Sequence, residues 1–306
     1  MDLGLRRLRI YREVAYRGGV TAAAEALHYS PSGVSQQLAA LEKEVGATLF
    51  DRLGRGLRIT DVGRVLLEHA EILLDAETTA RAAVEHARGT LAGTLQVGVF
   101  ATVAAGLVPH LVSDLSERAT ELRLSTREVD PEDAVTELHL GHLDLAFLID
   151  YPDAGEPWPP GLAVHQIGLD SFRLAAPEGW LPRRSLALSS LADVPWVMSG
   201  PHTYYGRAVR AACRAAGFEL HATHEVDEQA TALAMVGAGL GVALVSELAL
   251  GGAVTSGITV HPLTQPLRRH ILLAHSLSAT GRPSIQAFLD SARRAARACG
   301  LRAPRA

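Results

Sequence analysis

The stretch SPSGVSQQLAALEKEVG, residues 30–46, constrains the fold more than any other part of the chain. Val34, Leu38, Leu41 and Val45 recur at steps of four, three and four, so they share one face of a helix. Ser30 is placed to cap that helix, and Pro31 suits its first position, where a missing N–H costs nothing. At about 100° per residue, Ser32, Gln36, Ala39 and Lys43 point away from Val34, and Ser35 flanks them. A face that only met water would carry more Glu, Lys and Arg. Short neutral donors and acceptors suit base edges in a major groove, where Gln bonds adenine bidentately. Gly33 removes bulk from the turn that would approach a duplex. An ordinary amphipathic helix with a weakly polar face would also fit this stretch, so its neighbours decide.

A first helix is expected from Leu5 to Tyr16, with Leu8, Tyr11, Val14 and Ala15 inward, broken by Arg17-Gly18-Gly19. Thr21 then caps a short alanine-rich helix, and Ser30 restarts the chain. Two short helices across a tight turn make a helix-turn-helix. Residues 47–60, ATLFDRLGRGLRIT, bring two core anchors, Leu49 and Phe50, and a hairpin with Gly54 and Gly56. Its Arg52, Arg55 and Arg58 read as a wing lying along phosphates. Residues 61–88 form one long helix. Val62, Leu66, His69, Leu73, Ala76, Ala80, Ala83 and Ala87 step four and three along it, a heptad seam that predicts pairing with a second copy. Charge agrees with a DNA-binding front. Residues 1–60 hold nine basic and six acidic side chains, a net +3, while the whole chain is −4 and the remainder therefore −7.

Beyond Gly93 strands and helices alternate, with strands at 94–100, 121–129, 143–149, 195–199 and 241–246. This predicts an α/β body with mainly parallel sheets. Extended stretches LDSFRLAAPE (169–178) and PLTQPLRRHILLA (262–274) read as two crossings between subdomains that share a cleft.

Several classes are disfavoured. Cys213 and Cys299 give neither a disulfide framework nor a metal spacing. No apolar run has membrane length, and the first nineteen residues lack a signal-peptide core, so a reduced cytoplasmic setting is expected. The single lysine, Lys43, leaves no lysine for a P-loop or for a Schiff base in the C-terminal body. GAGLG (237–241) precedes a strand instead of following one, and no G-x-S-x-G elbow occurs. His139/His142 and His221/His224 lack a completing ligand and read as surface or packing residues. No enzyme activity, metal or cofactor is expected.

With these residues assembled, the chain resembles the LysR-type transcriptional regulators. The carrying stretches are TAAAEALHYSPSGVSQQLAALEKEVGATLFDRLGRGLRIT, the long helix after it, LQVGV, GHLDLAF and VGAGLGVALVS. The resemblance implies an α/β chain of three parts: a winged helix-turn-helix (1–60), a dimerising linker helix (61–90) and an effector domain (91–306). The last would be two-lobed, like the type 2 periplasmic binding proteins, with lobe I at about 91–164 and 266–300 and lobe II at about 165–265. A homodimer or homotetramer would bind double-stranded DNA, away from any membrane, and a small-molecule effector would tune that binding.

Carried onto this sequence, the DNA-contacting residues are Thr21, Ser30, Pro31, Ser32, Ser35, Gln36 and Gln37, with Arg52, Arg55 and Arg58 in the wing. Pro31 departs from the family's usual Gln, and Ser246 stands where its strand usually runs into a proline. The effector loops are Phe100, Ala101 and Thr102, and Ser199, Gly200, Pro201, His202 and Thr203. Ile149, Asp150 and the helix start at Asp227–Glu228 would line the crevice. Both loops precede helices whose first N–H groups favour an anion, so the expected guest is a small carboxylate. The alternatives are a ligand-indifferent architectural DNA protein, and a solute-binding or enzymatic body with an accessory head.

Overall fold

The computed structural model describes residues 3–53, 56–88, 91–151, 158–182, 184–251 and 256–302. They form two compact units. One contains the chain up to 88 with 139–142 and 278–282, and the other contains the rest.

The first unit holds helices α1 (Leu5–Arg17), α2 (Val20–Ala26) and α3 (Pro31–Val45). A hairpin of β1 (Phe50–Leu53) and β2 (Gly56–Ile59) follows, and then the long α4 (Asp61–Arg88). Gly18, at φ 68°, ends α1 in the left-handed region that favours glycine. Extended Gly19 then takes the cap position of α2, so Thr21 lies inside the helix and does not cap it. A capping side chain is dispensable there because glycine itself is a tolerated cap. The turn to α3 is tight: Tyr29 N–H donates to the Ala24 carbonyl at 2.8 Å, with His28 at φ 54°. α3 opens as its sequence predicts. The Ser30 hydroxyl accepts the Gly33 N–H at 3.1 Å, Pro31 fills the first turn, and left-handed Gly46 closes the end.

Val34, Leu38 and Leu41 of α3 are buried with Leu8, Tyr11 and Val14 of α1 and Leu49 before the hairpin. Each such side chain contributes about 1.5–3 kcal/mol of burial. Thr60 joins the hairpin to α4. Its hydroxyl accepts the Gly63 N–H at 3.0 Å and donates to the Thr48 carbonyl at 2.9 Å. At Gly63 the backbones approach closely: Tyr11 O–H donates to its carbonyl at 2.6 Å, and a Cβ there would stand 2.4 Å from the Leu49 carbonyl oxygen. The predicted seam of α4 needs one correction. Leu66 turns into its own unit's core, beside Gly63 and Ala70, because this face covers α1. The rest of the seam, from Val62 through Leu73 to Ala87, is exposed, as are Val65, Ile72 and Val84.

The second unit begins with β3 (Gly93–Val99), α5 (Ala101–Gly106), α6 (Val108–Arg118), β4 (Leu122–Glu128), α7 (Pro131–His139) and β5 (Leu145–Asp150). The 16-residue β6 (Leu162–Pro177) leads to β7 (Trp196–Met198), α8 (Tyr204–Ala215), β8 (Ala222–Glu225) and α9 (Gln229–Gly237). β9 (Ala243–Ser246), α10 (Glu247–Leu250), β10 (Ile258–His261), β11 (Arg268–Ser276) and α11 (Pro283–Ala298) complete it. The strand order is β4-β3-β5-β11-β6-β10, with β9 also on β6. β4 and β5 run parallel to β3, and β8 runs parallel to β7. The other strand ladders of this unit are antiparallel, and only the isolated bridges Leu186–Leu263 and Trp196–Val242 add parallel pairs among the described residues, so the expectation of mainly parallel sheets fails. The cause is β6. Its first ten residues pair with β11, its remainder pairs with β9 and β10, and both crossing strands run against their neighbours.

A histidine pair sits between the crossing strands. His165 and His275 stack with centroids 5.3 Å apart and Nε2 atoms 3.2 Å apart, and His275 Nδ1 donates to the Ser276 carbonyl at 2.8 Å. Burial, then His275 and Arg293, hold the His165 ring below its ordinary 6.5.

Two predictions follow from this packing. Gly63→Ala should cost about 1–3 kcal/mol by urea unfolding, because added bulk meets backbone. A cost under half of that range would contradict the contact. Because His165 is depressed when folded, its contribution is complete above 6.5 and declines as pH falls below it. The melting temperature of His165→Gln should therefore fall less between pH 7 and pH 5 than that of the unaltered chain.

Candidate nucleic-acid interface and ligand cleft

On α3 the predicted reading face is free. Pro31, Ser32, Ser35, Gln36, Ala39 and Lys43 are exposed, while Gln37 is half-buried toward the core side. Ser30 is exposed, but its hydroxyl is committed to the cap and lies 3.1 Å from that of Ser32. Thr21 is exposed at the start of α2. In the hairpin, Arg52 opposes Leu57 and Arg58 opposes Asp51. Both arginines are exposed, and the Arg58–Asp51 contact is long at 3.4 Å. Arg55 lies outside the described residues. This is a row of neutral donors and acceptors on a rigid helix, flanked by mobile-length cations: base edges for the one, phosphates for the other.

The second unit contains a cleft of about 420 Å³, within the ~300–1,000 Å³ typical of small-molecule sites. Four strand-to-helix junctions surround it: 100–102, 130–133, 202–205 and 227–229. Burial grades it from floor to mouth. Phe100, Thr102, Ile149, Tyr205, Gln229 and Arg269 are buried, whereas Asp130, Glu132, Asp133, His202, Asp227 and Glu228 are exposed.

Arg269 is 1% exposed, and the Nε and Nη2 side of its fork is engaged. Nε donates to Asp170 at 3.0 Å, and Nη2 donates to the hydroxyls of Thr102 at 2.7 Å and Ser246 at 3.0 Å. Its guanidinium stands 5.4 Å from the ring centres of Phe100 and Phe172. Behind His202, the buried Ser199 hydroxyl donates to Asp227 at 2.8 Å and lies 2.7 Å from that of Thr203. That bond from Ser199, then His202 and the Gly200 N–H, hold the Asp227 carboxyl below its ordinary value.

Of the predicted effector residues, Phe100, Ala101, Thr102, Ile149, His202, Thr203 and Asp227 line the cleft. Ser199 supports it from behind. Gly200, Pro201 and Asp150 do not line it: Gly200 is packed under the His202 ring, Pro201 is exposed, and Asp150 faces His270 Nδ1 at 3.3 Å. The helix starts are also less vacant than expected. At α8 the Tyr204 N–H donates to Glu132 and the Gly206 N–H to Thr203 at 2.9 Å. Sequence reasoning missed Arg269, Gln229 and the carboxylates of 130–133. The signal for Arg269 was a charge pair in otherwise apolar strands, Asp170 in GLDSF and Arg269 in LRRHILL.

A family model for the bacterial regulatory helix-turn-helix of the lysR family matches residues 5–64, and one for the LysR substrate binding domain matches 88–297. The chain belongs to the LysR family of transcriptional regulators.

A probable regulator, LrrA of Synechococcus elongatus, is 29% identical over 296 residues, spanning 96% of this chain and 98% of that one. ShiR of Corynebacterium glutamicum is 29% identical over 300 residues, spanning 92% and 98%. A full-length OxyR variant from Pseudomonas aeruginosa shares the fold at TM-score 0.72 and 24% identity, covering 96% of this chain and 95% of that one. Full-length BenM does so at 0.60 and 21%, covering 100% of each. This LysR regulator is thus a DNA-binding transcription factor with a ligand-binding regulatory domain. A match over 88–297 is not what a ligand-indifferent architectural protein would show. Among the described residues, no helix is long and apolar enough to cross a membrane.

Removing one partner of a buried ion pair typically costs about 3–5 kcal/mol. Arg269→Met should lose that much in chemical denaturation, and adding Asp170→Leu should return part of it. A double variant no better than the single one would show that the pair does not carry the cost.

Proposed function

We propose that α3 reads base edges with Ser32, Ser35 and Gln36 while Arg52 and Arg58 hold the backbone, and that the cleft of the second unit takes the effector. The observation that carries the first half is that Ser32, Ser35 and Gln36 are exposed on α3, opposite the buried Val34, Leu38 and Leu41. Its neighbour on the cap, Pro31, offers no side-chain donor, so readout there falls to Ser32. Ser30 caps α3, the exposed Thr21 adds a contact at the start of α2, and Gln37 flanks the reading face. The exposed part of the α4 seam supports a homodimer, and two copies would present two reading heads to a pseudo-palindrome. A crystal structure of CbnR, which shares the fold at TM-score 0.57, holds that protein on its target DNA.

Thr102, held by Arg269, and Gln229 support recognition of a carboxylate end of the effector, while Ser199 and Thr203 hold the Asp227 side of the cleft. The protein acts by binding and not by catalysis, in the cytoplasm. The relatives compared are regulators, and Lys43 is the only lysine.

The test is binding to a site selected from genomic fragments. Gln36→Ala should lose about 1–3 kcal/mol on the selected site and relax its preference at one base position. Arg58→Ala should weaken all sequences alike and lower the salt slope by about 1. Two variants with identical, sequence-blind losses would reject α3 as the reader.

A further inference from the structure

We propose that the occupant of the cleft is a zwitterion, with an acceptor head such as a carboxylate on the floor and an ammonium group at the mouth. The inference rests on the cleft being the effector site and adds the charge pattern of its guest.

The floor offers hydrogen-bond donors without net charge. Gln229 is 4% exposed and lines the cleft. The Ser246 N–H donates to its Oε1 at 2.8 Å, which sets the amide so that the NH₂ end faces the cavity. Among the described residues that NH₂ has no acceptor, and it is free to donate to a guest in the cleft. Thr102 accepts from Arg269 at 2.7 Å and keeps its own hydroxyl proton to donate. The charge of Arg269 is committed to Asp170, 2.9 Å away.

The mouth has the opposite character. Asp130, Glu132, Asp133, Asp227 and Glu228 stand around it, all exposed. Asp227 is engaged by Ser199 and His202, and Glu132 by the Tyr204 N–H. Asp130, Asp133 and Glu228 have no side-chain partner among the described residues. Burial first, and then the like charges of Glu128, Asp130 and Asp227, push the Glu228 carboxyl above its ordinary value. Arg207, at the start of α8, lies over the Tyr204 ring at 4.6 Å and donates to the His202 carbonyl at 2.6 Å. A simple anion would pass five carboxylates to reach the donors. A simple cation would leave the donors unpaired. A molecule carrying both groups satisfies floor and mouth together, with Phe100 and Tyr205 flanking its apolar middle.

The experiment is calorimetric titration of the full chain with three probes of one skeleton: 4-(aminomethyl)benzoate, 4-methylbenzoate and 4-methylbenzylamine. The zwitterion should bind at least about tenfold more tightly than either singly charged probe. Gln229→Leu should weaken the zwitterion and the benzoate alike and spare the amine. Asp130→Asn with Glu228→Gln, a surface change that leaves the floor intact, should weaken the zwitterion and the amine and spare the benzoate. If one singly charged probe binds best and Gln229→Leu or the rim pair alters its affinity, the zwitterion is overturned and the cleft stands. If no probe binds, or none responds to any of these substitutions, both readings fall.

Discussion

A guanidinium taken out of water needs acceptors nearby, and Arg269 finds them for its Nε and Nη2. It issues from β11, one of the two strands that cross the second unit. Asp170 meets it from β6, the other crossing strand, Thr102 from α5 and Ser246 from the end of β9. One side chain therefore ties four segments that are far apart in sequence at the point where the chain passes between its sheets. Tyr205 stacks on Phe172, which in turn lies against the guanidinium, so the aromatic wall is organised by the same charge. Asp170 also accepts the Leu248 N–H at 3.3 Å, which joins the start of α10 to the same cluster.

Ser246 shows how a local choice propagates. Its hydroxyl accepts the Ala249 N–H and caps α10, and it also accepts from Arg269. Its backbone N–H holds Gln229. A proline at this position would have neither the N–H nor the hydroxyl, so the orientation of a buried amide in the cleft follows from one residue outside it.

The helical front of the molecule was legible in the sequence because its signals are local. Ser30, Pro31, the apolar steps to Val45 and Gly46 each act within a few residues of themselves, and the structure places them as those rules require. Thr21 misled because two cap-competent residues, Gly19 and Thr21, lie two positions apart and the glycine takes the cap. Leu66 obeyed the heptad but also the core of its own unit, and a period alone does not rank two partners. In the second unit the alternation of strands and helices identified the class. Strand direction did not follow, since it depends on where β6 ends one pairing and begins another. The cleft was half legible. Junction residues such as Thr102 and Thr203 announce themselves as helix starts, whereas Arg269 and Gln229 reach the site through long-range pairing that no local pattern encodes.

The central claim is that the neutral face of α3 reads sequence in a duplex as part of a two-headed assembly. The most direct measurement is a footprint of the purified protein on the DNA flanking its own gene, at about physiological salt. The account predicts protection of a two-fold site with half-sites about one helical turn, or a small multiple of it, apart. Uniform protection with no preferred site, unchanged when the zwitterionic probe is added, would contradict it.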